Sequence, residues 1–386
     1  MLKSIHYFYW FAGLHAFLMG LTPFFLPVLL WEQSQSISLI STLISVSGLA
    51  YFCTLWVWER IRISERPLWI IRFAFIMQSL LVLYIAENYA NLSVLPLGML
   101  NGIYGCFYWM SLRLLFKSLS RNHNSGRHFG NFQILVAVLL KAGIIAGAYL
   151  LSKQGIQLIL LSSLGISLIG LLQTRRSVPA AQISTALQAE PVNLLKLFSF
   201  RDHLYSRPVF FLDGLFLFLE SYFWTLSLFI LNQQNLMNLG WMIVTLGAVI
   251  AVVFWLLKRV IDHIDATLVF RISTILYTLS WLLRANLSPE DSLTIHYLMI
   301  IIIAFFTSLF RLSFNKLFFD QADRTVTYPY LVVKSYFSQL GAMIFFGLIA
   351  IASMGNTDFQ FTLDATYWLA AILAPVFLLY GGRKGI

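Results

Sequence analysis

The chain has 386 residues, 59% of them hydrophobic and only 11% charged, with a mean hydropathy of +0.79. No soluble domain of this size needs so much apolar surface, and the apolar residues fall in runs of about twenty, the length that crosses a bilayer core. The formal charge of +10 sits on no soluble basic module, which argues against a nucleic-acid partner, and the two cysteines, Cys53 and Cys106, lie inside apolar runs with neither a disulfide framework nor metal-ligand spacing.

Run length predicts an all-α polytopic membrane protein of about twelve spans, at 7–30, 36–57, 68–87, 94–117, 129–152, 155–174, 208–231, 237–257, 266–285, 296–318, 328–353 and 364–381. They are numbered 1 to 12 below. Lys3 precedes the first run, which is too long for a signal sequence and has no small-residue cleavage site after it, so it is expected to stay as span 1. The 34 Phe, 17 Tyr and 11 Trp suit lipid-facing and interfacial positions.

With the N-terminus inside, about eighteen of the 26 Lys and Arg fall in inner loops and tails, from Lys3 through Arg60, Arg62 and Arg66 to Arg383 and Lys384. Lys153 and Arg284 alone fall outside. That bias predicts a multi-pass protein of the cytoplasmic (inner) membrane with both termini cytoplasmic. The longest loop, about 175–207, contains SVPAAQISTALQAEPV and then LLKLFSFRDHLYSRP, the latter fit for a short amphipathic helix on the inner surface. It separates a six-span bundle at 1–174 from another at 208–386. The halves repeat weakly: GLHAFL from Gly13 matches GLFLFL from Gly214, and an offset of about 200 places Arg113 over Arg311 and Gly143 over Gly341. Parallel six-helix halves are a transporter architecture.

Six plus six spans, inner termini and a basic central loop resemble the major facilitator superfamily (MFS), over the whole chain. SGRHFGNF from Ser125 is similar to the family's Arg/Gly-rich turn between helices 4 and 5. The loop between spans 2 and 3, WERIRISERP, departs from the family's Gly-rich, Asp-containing motif, whereas LKRVIDHIDATLV in the second half keeps Asp262 and Asp265. Gly143 and Gly147 stand in span 5 without the proline of the family's antiporter signature. The resemblance implies a pseudo-twofold 6+6 bundle with helices 1, 4, 7 and 10 lining a cavity, alternating access, no cofactor and a chain that works as a monomer.

Charges within spans are costly and need a reason. Lys141 lies about 18 Å into a core of about 30 Å, too deep to snorkel. Glu220 sits at similar depth in span 7. His15, Asp213 and Lys334 lie in the inner parts of spans 1, 7 and 11, and Arg113 and Arg311 toward the inner ends of spans 4 and 10. Lys141, Arg311, Arg113, Lys334, Asn315, Tyr108 and Trp109 are therefore candidates for binding a solute, and Glu220, Asp213 and His15 for carrying a proton or a switching ion pair. Static alternatives stay open: a pair between Lys141 and Glu220, a salt bridge of Glu220 or Asp213 with Lys141, Arg113 or Lys334, snorkelling arginines, and His15, Tyr108 and Trp109 as packing residues. The glycines of spans 5 and 11 point to close helix packing.

Four deep cations against two deep acids point to a gradient-driven, proton-coupled transporter of an anionic or zwitterionic organic solute, such as a polycarboxylate, a carboxylate siderophore, an organophosphate or an acidic peptide. An exporter of amphipathic compounds is the alternative. No acyltransferase cluster, metal-ligand set, phosphate loop or ATP-binding motif is present, so an enzyme is not expected.

Overall fold

A computed structural model describes residues 2–64, 68–119, 125–153, 155–176, 194–200, 202, 205–262, 265–287, 293–324, 327–355 and 358–381, with the backbone alone at several helix ends. The stretch 177–193 of the central loop and the cations Arg66, Arg121, Arg201, Arg383 and Lys384 lie outside the described residues, as do the side chains of Lys3, Lys117, Arg127, Arg175, Arg176, Lys196, Lys258, Arg259 and Arg324.

The chain is a multi-pass, all-helical membrane protein. Among the described residues eleven helices are long and apolar enough to cross a membrane. The helix Val94–Leu119, which is span 4, is also long enough but stands outside that set, because Asn101, Tyr104, Tyr108 and its glycines dilute its apolar residues. Three spans are interrupted. Span 1 runs Leu2–Leu21, passes through a 3-10 turn at Pro23–Phe25 and resumes as Leu26–Ser34; Pro23 and Pro27, with no N–H to donate, suit helix starts. Span 7 runs Ser206–Phe218, widens to a π turn at Leu219–Phe223 and continues as Trp224–Leu231. Span 12, Phe359–Leu373, tightens to 3-10 at Ala374–Gly381, where Pro375 cannot continue the α ladder. The SGRHFGNF stretch is helical and opens span 5, Ser125–Ser152, rather than forming a turn.

Compactness divides the chain into two units. One comprises Met1–Leu194, Phe218–Trp241 and Ala342–Ala352; the other comprises Leu195–Leu217, Met242–Gly341 and Ser353–Ile386. In the first, span 2 (Ile37–Arg62) packs along span 4, span 1 along span 5, and span 3 (Trp69–Glu87) against span 4 and span 6 (Ile156–Arg176). Ser38 and Ser45 of span 2 donate to the carbonyls of Ala350 and Met343, both at 2.8 Å. Large apolar side chains such as Ile134, Val138 and Leu161 remain exposed, as spans facing hydrocarbon require.

In the second unit, span 9 (Ala266–Ala285) packs on span 10 (Leu293–Arg324) and on span 12. Its core is aromatic: Tyr277 and Phe310 stack with centroids 4.0 Å apart, and Phe377 meets Phe310 edge-on at 4.9 Å. Asp265, read from the sequence as part of an inner-loop motif, caps span 9 by accepting from Leu268 N at 3.1 Å. At the start of span 7, Asp202 accepts from the backbone N–H and hydroxyl of Ser206, and Tyr330 and Tyr380 extend the chain of hydroxyls at 2.8 and 2.7 Å.

Glycine sets two helix crossings. A Cβ on Gly143 would run into the carbonyl of Phe17, and one on Gly20 into that of Leu140, so spans 1 and 5 touch backbone to backbone. Span 7 crosses span 11 (Thr327–Ala352) in the same way: Gly214 abuts the carbonyl of Ser338, and Gly341 that of Phe211. Gly214→Ala is therefore expected to lower the melting temperature of the detergent-solubilised protein, by the equivalent of about 1–3 kcal/mol of overpacking. Gly165→Ala, at a site with nothing within 4 Å, should leave it unchanged or raise it slightly.

Candidate functional site

The charges placed within spans fall into distinct surroundings. Asp213 is fully buried on span 7. Its Oδ1 accepts from Arg311 Nη1 at 2.5 Å, and its Oδ2 lies 3.3 Å from Lys334 Nζ. One carboxylate thus joins spans 7, 10 and 11. The Gly214 crossing, one residue further along span 7, brings span 11 close enough for Lys334 to reach. The cations rest on rings of span 10: Lys334 Nζ is 4.8 and 4.3 Å from the ring centroids of Phe314 and Phe318, and Arg311 Cζ is 5.7 Å from that of Phe310. These phenylalanines recur every four residues, so one helical stripe supplies the cation–π surface.

Two cations on one acid leave the group with a surplus positive charge. The Arg311 side chain is 17% exposed, and Asn315, one turn along span 10, is half-buried with no hydrogen bond to a described residue. Of the partners considered for Asp213, Lys334 is the one the fold supplies, together with Arg311. Arg113 is half-buried on span 4.

Lys141 is half-buried on span 5 and makes no hydrogen bond or ion pair with a described residue, so the static pair with Glu220 is absent. Glu220 is half-buried in the π turn of span 7, a distortion found often at functional sites. His15 is fully buried in an aromatic box. It stacks on Phe75 at 4.2 Å, meets Phe11 at 4.7 Å and Tyr108 at 4.8 Å, and its Nδ1 lies 3.3 Å from Tyr104 Oη. Tyr108 is 1% exposed, whereas its neighbour Trp109, 4.8 Å away, is 39% exposed.

Sequence reasoning missed Tyr104, which shares a face of span 4 with Tyr108 and Asn101; Asn101 Nδ2 donates to Ser47 Oγ at 3.1 Å and Tyr222 Oη at 3.0 Å. It also counted Arg284 and Arg62 as loop charges. Arg284 is buried at the end of span 9, donating to Ser280 Oγ and Thr307 Oγ1 at 2.9 and 2.8 Å over the Trp281 ring. Arg62 is buried against Glu59, one turn back, at 2.6 Å. Polar partners supplied by the fold turn cations at helix ends into packed side chains.

The sequence matches the Major Facilitator Superfamily profile over residues 8–345. The chain belongs to the major facilitator superfamily. Membership makes it a membrane transporter and not an enzyme. The fold is also similar to solved structures: a D-xylose-proton symporter (TM-score 0.69, 11% identity, covering 100% of this chain and 98% of that one) and the nucleoside transporter NupG (0.67, 13%, 99% and 100%). A point mutant of NupG aligns with a TM-score of 0.67 at 16% identity over 97% of this chain and 99% of that one. No curated relative matches the sequence.

Removing Asp213 leaves two cations buried, whereas removing Lys334 leaves an intact Arg–Asp pair. Asp213→Leu is thus expected to destabilise by about 3–5 kcal/mol and Lys334→Met by much less, an asymmetry that thermal denaturation of the two variants measures directly.

Proposed function

We propose that this chain is a gradient-driven, proton-coupled alternating-access transporter of an anionic or zwitterionic organic solute, a class that includes polycarboxylates and carboxylate siderophores. The observation that carries this reading is one buried acid, Asp213, shared by two cations, Arg311 and Lys334. While Asp213 is ionised, Arg311 is held by it. A proton on Asp213 removes the charge that neutralises the pair, and a solute carboxylate or phosphate then satisfies the guanidinium with the bidentate geometry that Arg favours. Proton and anion binding become mutually reinforcing, which is the thermodynamic requirement for symport. Lys141, an ammonium with no partner among the described residues, is assigned to the solute as well, and Arg113, Asn315, Tyr108 and Trp109 to the same task. Glu220 and His15 are assigned to proton movement or gating.

In this scheme the halves 1–174 and 208–386, joined by 175–207, are the moving bodies. The chain acts as a monomer in the cytoplasmic membrane with both termini inside. The solutes named for the structural neighbours, a nucleoside and D-xylose, are uncharged, so neutral solutes are the natural counter-panel.

Thermal-shift screening of purified protein against di- and tricarboxylates, ferric polycarboxylate chelates and organophosphates, beside xylose and nucleosides, tests the class. Stabilisation by anions supports it, and stabilisation by the neutral panel alone overturns it. In proteoliposomes an inward proton gradient should drive accumulation of the anion so identified. Lys141→Ala is expected to raise its KM about tenfold, equivalent to about 1.4 kcal/mol. Asp213→Asn should retain downhill exchange and lose uphill accumulation; an Asp213→Asn protein that still concentrates solute would remove Asp213 from coupling.

A further inference from the structure

Among the buried polar atoms of spans 1, 3 and 6 that have no hydrogen-bond partner among the described residues are His15 Nε2, both amide atoms of Gln78, and the hydroxyls of Ser163 and Ser167. His15, Gln78 and Ser163 are 0% exposed and Ser167 is 1% exposed. The fold brings them to successive levels of one interface, within about two helical turns. His15 lies flat on Phe75, and Gln78 follows Phe75 by one turn on the same buried face of span 3. That face meets span 6: the Phe75 ring occupies the space that Gly170 leaves open, and Arg72 Nε donates to Thr174 Oγ1 at 3.3 Å. Spans 3 and 6 run antiparallel, so three residues forward from Phe75 is level with three residues back from Gly170. Gln78 therefore faces the level of Ser167, with Ser163 one turn beyond. Ser163, Ser167, Gly170 and Thr174 form a single stripe of span 6, buried along its length.

The chemistry of this set names its ligand. An imidazole nitrogen, an amide that both donates and accepts, and two hydroxyls offer mixed donors and acceptors with no carboxylate. A bare metal ion would find too little negative charge, and an anion would find no cation. A molecule that donates and accepts at once, and that makes about three hydrogen bonds when buried, is water. We propose that spans 1, 3 and 6 enclose a hydrated polar site in which His15 Nε2, Gln78, Ser163 and Ser167 bind a small cluster of water molecules. His15 is then held from both sides, by Tyr104 at Nδ1 and by the cluster at Nε2. The water positions the ring against Tyr108 and sets its tautomer. The site stands independently of the solute assigned above.

X-ray radiolytic hydroxyl labelling of the full-length protein in nanodiscs, performed in water enriched in oxygen-18, tests it. Phe75 and His15 should be labelled despite their burial, because bound water generates hydroxyl radicals in place. Gln78→Leu and Ser167→Ala should each reduce that labelling several-fold. Both should also lower the melting temperature, since each strands the groups that share the water. In a dry site the same substitutions remove unmet polar atoms and raise it. Absence of label at Phe75 and His15 in the wild-type protein overturns the proposal, as does label that persists unchanged in both variants. If Gln78→Leu fails to fold, Ser167→Ala carries the comparison.

Discussion

A carboxylate withdrawn from water carries a desolvation cost of several kcal/mol, which only close, well-placed counter-charges offset. Asp213 meets that condition twice, through Arg311 and Lys334. Much of the second unit is arranged so that it can. The glycine crossing of spans 7 and 11 brings Lys334 into range, and the phenylalanine stripe of span 10 gives both cations an aromatic surface in place of water. Below this level the hydroxyl chain from Asp202 through Ser206 and Tyr330 to Tyr380 ties the start of span 7 to spans 11 and 12. Tyr330 and Lys334 are one turn apart on span 11, so the two polar layers share a helix face.

Two pairs of spans share a packing device and differ in chemistry. Spans 1 and 5 make the same glycine-mediated backbone contact as spans 7 and 11. Yet where the second half places Asp213 the first has Ala12, and where the first places His15 the second has Phe216. The first half builds an aromatic box around an imidazole; the second builds an ion cluster. Both crossings exclude a side chain, because main chain meets main chain there.

The membrane class and nearly all span positions were legible in the sequence, because bilayer thickness imposes a run length that composition displays directly. Span 4 was found by length although its polar residues dilute its apolar character. The interruptions were legible in part: Pro23 and Pro375 mark two of the three, but nothing in the residues of Leu219–Phe223 announces a π turn. Depth along the spans picked out Asp213, Arg311 and Lys334 as intramembrane charges. Their pairing was not legible, since depth leaves several cations within reach of Asp213 and the choice is made by which helices cross. Arg284 and Arg62 were misread as loop charges for a related reason: position near a helix end says nothing about a neighbouring hydroxyl, ring or carboxylate that buries the side chain. Gln78, with both amide atoms buried, was invisible in a helix that otherwise reads as apolar.

The backbone contact at Gly214 and Gly341 has a mechanical meaning. Two helices that touch main chain to main chain have no layer of side chains through which to slide, so spans 7 and 11 behave locally as one strut. Asp213 and Lys334 are both mounted on that strut, within a turn or two of the contact. Arg311 belongs to span 10, outside the strut. Of the two ion pairs, one lies within the strut and the other ties the strut to span 10.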